Sequence, residues 1–307
     1  MAVSASNTTT KQYPICTTTE LPDYELSPEI HCDEAGLKLH LLRKFGYNED
    51  IADRVVKQIT KLLKKTSRLD DFWMKATNEG TSSEVIRAIL QSIGHSQLIH
   101  MLKYQDEGGY TALHRCAVNK RSDVIQLILD CCVSEEECYQ LLSSTDPWIV
   151  TPLNMSCSEG DGDAESVRVM LNHINQDMRY LLLQIGDTLS NTPLLYASLN
   201  GHSDVMNMIH ESVAQTQWIN LLQMEGYGEL PVLQTAAYSD EQSSIETIRE
   251  SVSDEVWLQL LYTPLPKFYE SNHFGTQYQR AVGKIDELRT AARVKAALLF
   301  SDQSGKN

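Results

Sequence analysis

Long apolar runs are missing from this sequence of 307 residues. No stretch approaches the ~18 consecutive apolar residues that a membrane-spanning helix needs, so the sequence predicts no transmembrane segment. Basic residues are also scarce: 26 lysines and arginines stand against 41 acids, and the net charge is −15. Such a charge repels a phosphate backbone, which argues against DNA or RNA as a partner.

The chain has seven cysteines, an odd number, so they cannot all pair in disulfides within one chain. No secretory signal precedes them, and reduced thiols in a cytoplasmic compartment are the simplest explanation. The spacing of Cys131, Cys132 and Cys138 lacks the paired short intervals of a zinc site. We therefore predict a cytoplasmic protein whose cysteines are reduced.

Motifs that carry catalysis or cofactor binding are also missing. The sequence has no phosphate-binding glycine loop and no nucleotide fingerprint. The alternating acids between Glu159 and Glu165 suggest a calcium loop, but Ala164 and Met170 stand where that loop requires glycine and glutamate. We expect no enzyme activity, no cofactor and no metal ion.

The charge is unevenly distributed along the chain. Between residues 122 and 167 there is no lysine or arginine. This acidic flank either is a solvated surface that keeps a long array soluble or favours a partner with a basic patch. Residues 38–68 carry nine bases. Their basic face is suited to contact either the acidic body of the chain or an acidic membrane surface.

A motif recurs about every forty residues. Residues 111–117 read TALHRCA, and the frames that begin at Thr151 and Thr192 read TPLNMSC and TPLLYAS. A weaker copy begins at Leu230 and a degenerate one at Asp71. In a second, independent register, a large apolar residue lies twelve positions before each frame: Ile59, Ile99, Tyr139, Tyr180 and Trp218.

The frames at Thr151 and Thr192 begin with threonine and proline, two residue types that start a helix, and the frame at Thr111 begins with threonine. Threonine can cap the first turn, and proline at the first helical position costs nothing because its missing N–H would be unpaired anyway. The small Ala, Ser or Cys residues that follow let neighbouring helices approach closely. Apolar residues from Val124 to Leu129 predict a second helix, and residues 135–142 predict an added turn or a short third helix.

Turn residues separate these predicted helices. Gly160 and Gly201 stand where the first helix must end and the chain reverse, a position that favours positive φ. The first complete frame has Lys120 there, so this turn must reach its geometry differently. An acid lies five residues before four of the frames, which suits a tight turn: Asp106, Asp146, Asp187 and Glu225.

Across about residues 67 to 263 the chain resembles the ankyrin-repeat family, whose repeats open with Thr-Pro-Leu-His-x-Ala and span ~33 residues. The roughly seven additional residues per repeat depart from that spacing. The resemblance implies an all-α solenoid of about five helical-hairpin repeats, a structural hydrogen-bonding role for His114, and a concave groove that binds a protein.

The frames divide the chain into four parts. Residues 1–30 are predicted to be a disordered tail and residues 31–66 an N-terminal helical cap of two amphipathic helices broken at Gly46. Residues 67–263 hold the repeats, and residues 264–307 hold a linker and a C-terminal helix. The caps would cover the stacking surfaces of the outermost repeats.

The resemblance also implies which positions line the groove. They are the turn positions and the exposed positions of each first helix: Tyr110, Arg115, Asn119, Trp148, Met155, Glu159, Asn191, Tyr196, Asn200, Tyr227, Gln234 and Tyr238. Tyr, Trp, Met and Arg are residue types that anchor interfaces. Trp148 is either such an anchor or a plug packed onto the next turn.

We therefore predict a non-catalytic scaffold, monomeric alone, that recognises another protein. The alternative is a bacterial effector or adaptor, since long-period arrays of this kind resemble effectors that intracellular bacteria deliver into the host cytoplasm. In that case the basic N-terminal helices would recruit a second protein or a membrane. An enzyme hidden in the terminal segments is the third hypothesis.

Overall fold

The computed structural model describes residues 38, 41–43, 46–63, 69–77, 80–158, 160, 162–264 and 275–304. Within these residues the regular structure is helical, and β pairing is limited to an isolated bridge between Glu225 and Pro231. The prediction of an all-α protein is therefore confirmed for the described part of the chain. No helix in that part is long and apolar enough to cross a membrane.

The helices are short, apart from the first and the last. In chain order they are α1 (Glu49–Leu63), α2 (Leu69–Ala76), α3 (Ser83–Ser92), α4 (His95–Leu102), α5 (Ala112–Val118), α6 (Ser122–Leu129), α7 (Glu135–Leu142), α8 (Pro152–Ser158), α9 (Ala164–Asn172), α10 (Gln176–Leu183), α11 (Pro193–Leu199), α12 (Ser203–Ser212), α13 (Gln215–Leu222), α14 (Val232–Ser239), α15 (Gln242–Ser251), α16 (Asp254–Tyr262) and α17 (Gly275–Ser304).

Helices α2 to α16 form five consecutive sets of three. The first helices pack on one another in the order α2, α5, α8, α11 and α14, and the second helices do so in the order α3, α6, α9, α12 and α15. The predicted third helix is present in each set, as α7 illustrates. Helix α1 packs on α2 and α3, and α17 packs on α14 and α16, so both ends of the stack are covered.

The backbone repeats at the turn between the first and second helix of each set. Five residues there have positive φ, between 53° and 86°: Gly80, Lys120, Gly160, Gly201 and Asp240. Lys120 thus adopts the left-handed conformation that the sequence assigned to glycine. An N–H of Arg121 closes this turn by donating to the carbonyl of Cys116 at 2.8 Å, a pattern that ends many helices.

The core lies between the two rows of helices. Val124, Ile125 and Ile128 of α6 are fully buried, as their spacing predicts. Cys116 and Cys157 are also fully buried, in the small-residue positions of α5 and α8. Their small side chains allow the first helices to pack closely, so packing accounts for both.

The fifth set begins one residue later than its sequence frame indicates. Pro231 is the N-cap residue and α14 begins at Val232. The preceding turn runs from Gly226 to Leu230, and the Gly226 N–H donates to the Leu230 carbonyl at 3.1 Å. The frame predicted at Leu230 is therefore corrected to Pro231, and every position assigned through it moves by one.

The structure describes only part of the two terminal segments that were predicted from the sequence. The predicted tail at residues 1–30 lies outside the described residues. Residues 41–43 are helical, Gly46 has φ 64°, and α1 follows, so the break at Gly46 is confirmed. Helix α17 is longer than the segment 278–300 that the sequence pattern predicted.

Candidate functional site

A five-residue turn precedes the first helix of the second, third, fourth and fifth sets. We call these four segments the edge turns, and they are residues 106–110, 146–150, 187–191 and 226–230. Three of them begin with an aspartate whose carboxylate accepts two backbone N–H groups of the same turn. Asp106 Oδ1, for example, accepts from Gly108 at 2.9 Å and Tyr110 at 3.0 Å. The last turn begins with Gly226, so Glu225 is not the counterpart of these aspartates.

The fourth residue of each edge turn is left-handed. Gly109, Ile149, Ser190 and Glu229 have φ of 77°, 63°, 65° and 59°. Glycine adopts this conformation without strain, and a Cβ at Gly109 would also collide with Pro147. A β-branched residue such as Ile149 is unfavourable there, because its Cβ crowds the backbone.

First helices reach back to the turn aspartates. The Arg115 guanidinium pairs with the Asp106 carboxylate, with Nε 3.0 Å from Oδ2, and stacks 5.0 Å from the centre of the Tyr110 ring. Burial opposes ionisation of Asp106, but the hydrogen bonds from Arg115 and the turn outweigh it and lower the pKa of Asp106. The turn and the helix are therefore held as one unit.

Neighbouring edge turns are linked to one another. The Gln105 side chain donates to the carbonyl of Thr145 at 2.7 Å, and the N–H of Thr188 donates to the carbonyl of Trp148 at 2.9 Å. The N–H of Tyr227 donates to Asn191 Oδ1 at 3.0 Å. These bonds align the turns along one edge of the stack.

Buried polar side chains join successive sets beneath the turns. His114 accepts the Thr111 N–H at Nδ1 (3.1 Å), and its Nε2 lies 3.0 Å from the carbonyl of Val150. Asn154, three residues into the next set, donates to the carbonyl of Asn191 at 3.2 Å. His114 therefore has the structural role that its position in the motif implied, and burial lowers its pKa.

The predicted groove residues differ in exposure. Trp148 is 56% exposed, which favours an anchor over a plug buried against the next turn. Tyr227 and Asn200 are also exposed. The half-buried residues are Tyr110, Arg115, Asn119, Asn191, Tyr196 and Tyr238. Glu159 lies outside the described residues.

Two predicted groove residues are buried, so the expectation that they are exposed is wrong. Met155 packs in the core, and Gln234 is fully buried with its Nε2 3.0 Å from the carbonyl of Leu260. The one-residue shift of the last frame explains Gln234, which occupies the position of His114 and Asn154. The same shift leaves Tyr238 packed on Leu230 rather than in line with Asn119.

Among the exposed apolar residues that were not predicted from the sequence, Ile149, Leu181 and Leu189 lie in or near the edge turns and the third helix α10. A signal for Leu181 was available, because residues 180–183 read YLLL. Consecutive residues of a helix point in different directions, so a single apolar face cannot take all of them. Leu182 and Leu183 are buried, and Leu181 is left outside.

The middle of the stack is strongly acidic. Residues 122–248 contain 19 aspartates and glutamates against Arg168 and Arg179 alone. The Arg168 guanidinium pairs with Glu165, with Nε 3.0 Å from Oε2. Arg179 donates to backbone carbonyls, including that of Leu171 at 2.6 Å. The middle sets therefore carry a large excess of negative charge.

Within the described residues, no group of three or more His, Cys, Asp or Glu side chains is arranged to hold a metal ion. Neither a family model nor a curated protein matches the sequence.

Proposed function

We propose that the chain is an ankyrin-repeat solenoid that acts as a non-catalytic recognition scaffold and binds another protein along its edge turns and first helices. The regular order in which first helices pack on first helices supports this proposal, because such stacks offer an extended surface and no enclosed pocket. The link from His114 to the next edge turn fits the ankyrin motif.

The row of linked edge turns is the observation that carries the proposal. It holds Trp148 and Tyr227 out from the body of the protein, and both are residue types enriched at the centres of interfaces. Because hydrogen bonds fix each turn to its neighbours, binding would order little backbone, and the entropic cost of association stays low.

We further propose that the scaffold is monomeric alone and works in a cytoplasm. The five described cysteines, Cys116, Cys131, Cys132, Cys138 and Cys157, are all free thiols, which suits a reducing compartment. The acidity of the middle sets favours a partner with a basic patch.

Capture of partners by the full chain, in lysate of the cells that produce it, tests the proposal. We expect Trp148→Ala with Tyr227→Ala to abolish capture while the melting temperature stays unchanged, since both side chains are exposed. Leu258→Ser on α16 is a matched control, because Leu258 is exposed but lies outside the edge turns. Capture that survives the double substitution contradicts the proposal.

A further inference from the structure

An open groove lies on the side of the stack formed by the third helices. Its volume is about 720 Å³, and it is lined by the carboxyl end of α10 and by the segments that follow α7, α10 and α13. Apolar lining comes from Ile149, Leu181, Ile185 and Met224. No lining residue belongs to a first helix, and Ile149 belongs to an edge turn, so the groove adjoins the edge turns and extends away from the first helices.

The groove continues into exposed apolar side chains. Leu181 is 53% exposed and Ile149 41%, and the neighbouring turn tips add Trp148 and Leu189, the latter 52% exposed. The bond from the Thr188 N–H to the Trp148 carbonyl holds the two tips together. Contiguous apolar surface of this kind marks interaction sites.

Ile149 occupies its position at a cost to the fold. Its φ of 63° is unfavourable for a β-branched residue, and Gly109 has the same conformation in the preceding turn. The side chain is too exposed for core packing to offset the strain. A strained residue that holds an apolar side chain at the mouth of a groove points to a contact outside the chain.

Charge indicates what this contact is. Two basic residues lie on or near the elements that line the groove, and both are engaged elsewhere. Arg179 on α10 donates to backbone carbonyls. Lys103, at the end of α4, donates to Gln140 on α7 at 3.0 Å.

Exposed acids lie closer to the groove: Glu225 follows the lining residue Met224, Glu229 stands in the same turn segment, and Asp177 lies one helical turn before Leu181. The groove combines apolar side chains with a few polar ones, and the nearest charged side chains on these segments are acidic.

We propose that this groove binds a basic amphipathic segment of a partner protein. Apolar side chains of the segment enter between Ile149, Leu181 and Met224, and its lysines and arginines face the surrounding acids. This inference rests on the proposed function and deepens it, because it names the chemistry of the partner and extends the binding surface from the edge turns toward the third helices.

Selection of a displayed library of random peptides against the full chain tests the inference. We expect the enriched peptides to combine lysine or arginine with large apolar residues. Their affinity should fall about tenfold or more in Ile149→Gly and in Leu181→Ser, and should fall with salt, because exposed charges are screened. Leu258→Ser, the matched control on α16, should bind the peptides as the parent chain does.

Ile149→Gly is the sharper variant, because it removes the side chain and relieves the backbone at the same time. A loss of binding in this variant, with its free energy of unfolding unchanged or raised, therefore reports the loss of the side chain. Enrichment of neutral or acidic peptides, absence of any enrichment, or binding that is unchanged by both substitutions overturns the inference.

The outcomes also separate the inference from the proposed function. If Trp148→Ala with Tyr227→Ala abolishes partner capture while Ile149→Gly and Leu181→Ser leave it intact, the inference is wrong and the scaffold function stands. If none of these substitutions alters capture, both are wrong.

Discussion

The phenol hydroxyl of Tyr196 donates a 2.6 Å hydrogen bond to the carboxylate of Asp187, nine residues earlier. Arg115 and Asp106 stand in the same relationship two sets before. Burial raises the pKa of Tyr196, and the bond to Asp187 adds to this effect. Arg115 and Tyr196, two chemically different side chains, therefore have the same role: each binds the first helix to the edge turn that precedes it.

Tyr196→Phe should lower the free energy of unfolding by about 1 kcal/mol or more, because it leaves the ring in place and removes the hydrogen bond to a charged acceptor. Urea unfolding of the parent and the variant measures the change. Tyr139 on α7 is also half-buried, so Tyr139→Phe is the comparison. We expect it to lower the free energy of unfolding by less than Tyr196→Phe does. Equal costs for the two would show that the Tyr196 bond adds nothing.

Stability should decrease in mild acid because of His114. Burial lowers its folded pKa below the ordinary value of about 6.5, so the unfolded chain binds a proton first as the pH falls. The contribution is complete above about pH 6.5 and is lost as the pH falls through the folded pKa, with a slope of at most about 1.4 kcal/mol per pH unit. Denaturant unfolding between about pH 7.5 and pH 5 records this slope.

His114→Asn is the matched variant, because Asn154 makes the corresponding link in the next set. It should flatten the slope in this range. His114→Ala should lower the free energy of unfolding by about 2 kcal/mol or more at neutral pH, since the Val150 carbonyl and the Thr111 N–H lose their partner. A slope that persists in His114→Asn assigns the titration to another group.

Ile149→Gly should keep the free energy of unfolding or raise it by up to about 1 kcal/mol. Glycine removes the strain of φ 63°, and this gain competes with the larger entropy that glycine gives to the unfolded chain. Val150→Gly, one residue later, lies outside the left-handed positions and should lower stability. Chemical denaturation of the two variants in parallel makes the comparison, and destabilisation by both removes the strain argument.

Cys116 and Cys157 should resist alkylation until the protein unfolds. Burial raises the pKa of Cys116 to about 12 and raises that of Cys157 as well, so neither forms a thiolate at neutral pH. Cys131, which is only partly buried, is the internal comparison. Mass spectrometry after iodoacetamide treatment should show both buried thiols reacting about a hundredfold more slowly than in urea.

The helices were predictable because their signals are local. Thr192 and Pro193 mark a helix start in any fold, and Gly201 marks the following reversal. The five frames therefore predicted five repeats of two helices with an added turn or short third helix, and the structure has three helices in each set. The left-handed turn at Lys120 was not readable from residue type, because its geometry comes from the packing of α5 on α6.

The candidate site was less predictable, because exposure depends on register and on neighbouring sets. Pro231 resembles Pro152 and Pro193 in sequence but lies one position earlier relative to its helix, and that single step moved Gln234 into the core. Met155 is buried although Arg115 and Tyr196 occupy the same position. The groove itself combines residues from three sets, and no local pattern reports such a combination.

The acidic middle of the stack has one more consequence, which concerns chemistry at primary amines. No lysine occurs between Lys120 and Lys267, so ubiquitin, acetyl groups or an amine-reactive dye can attach to lysine only toward the two extremities of the protein. The edge turns that carry Trp148 and Tyr227 fall inside this lysine-free span. A chain immobilised or tagged through its lysines therefore keeps that part of its edge free of the attachment.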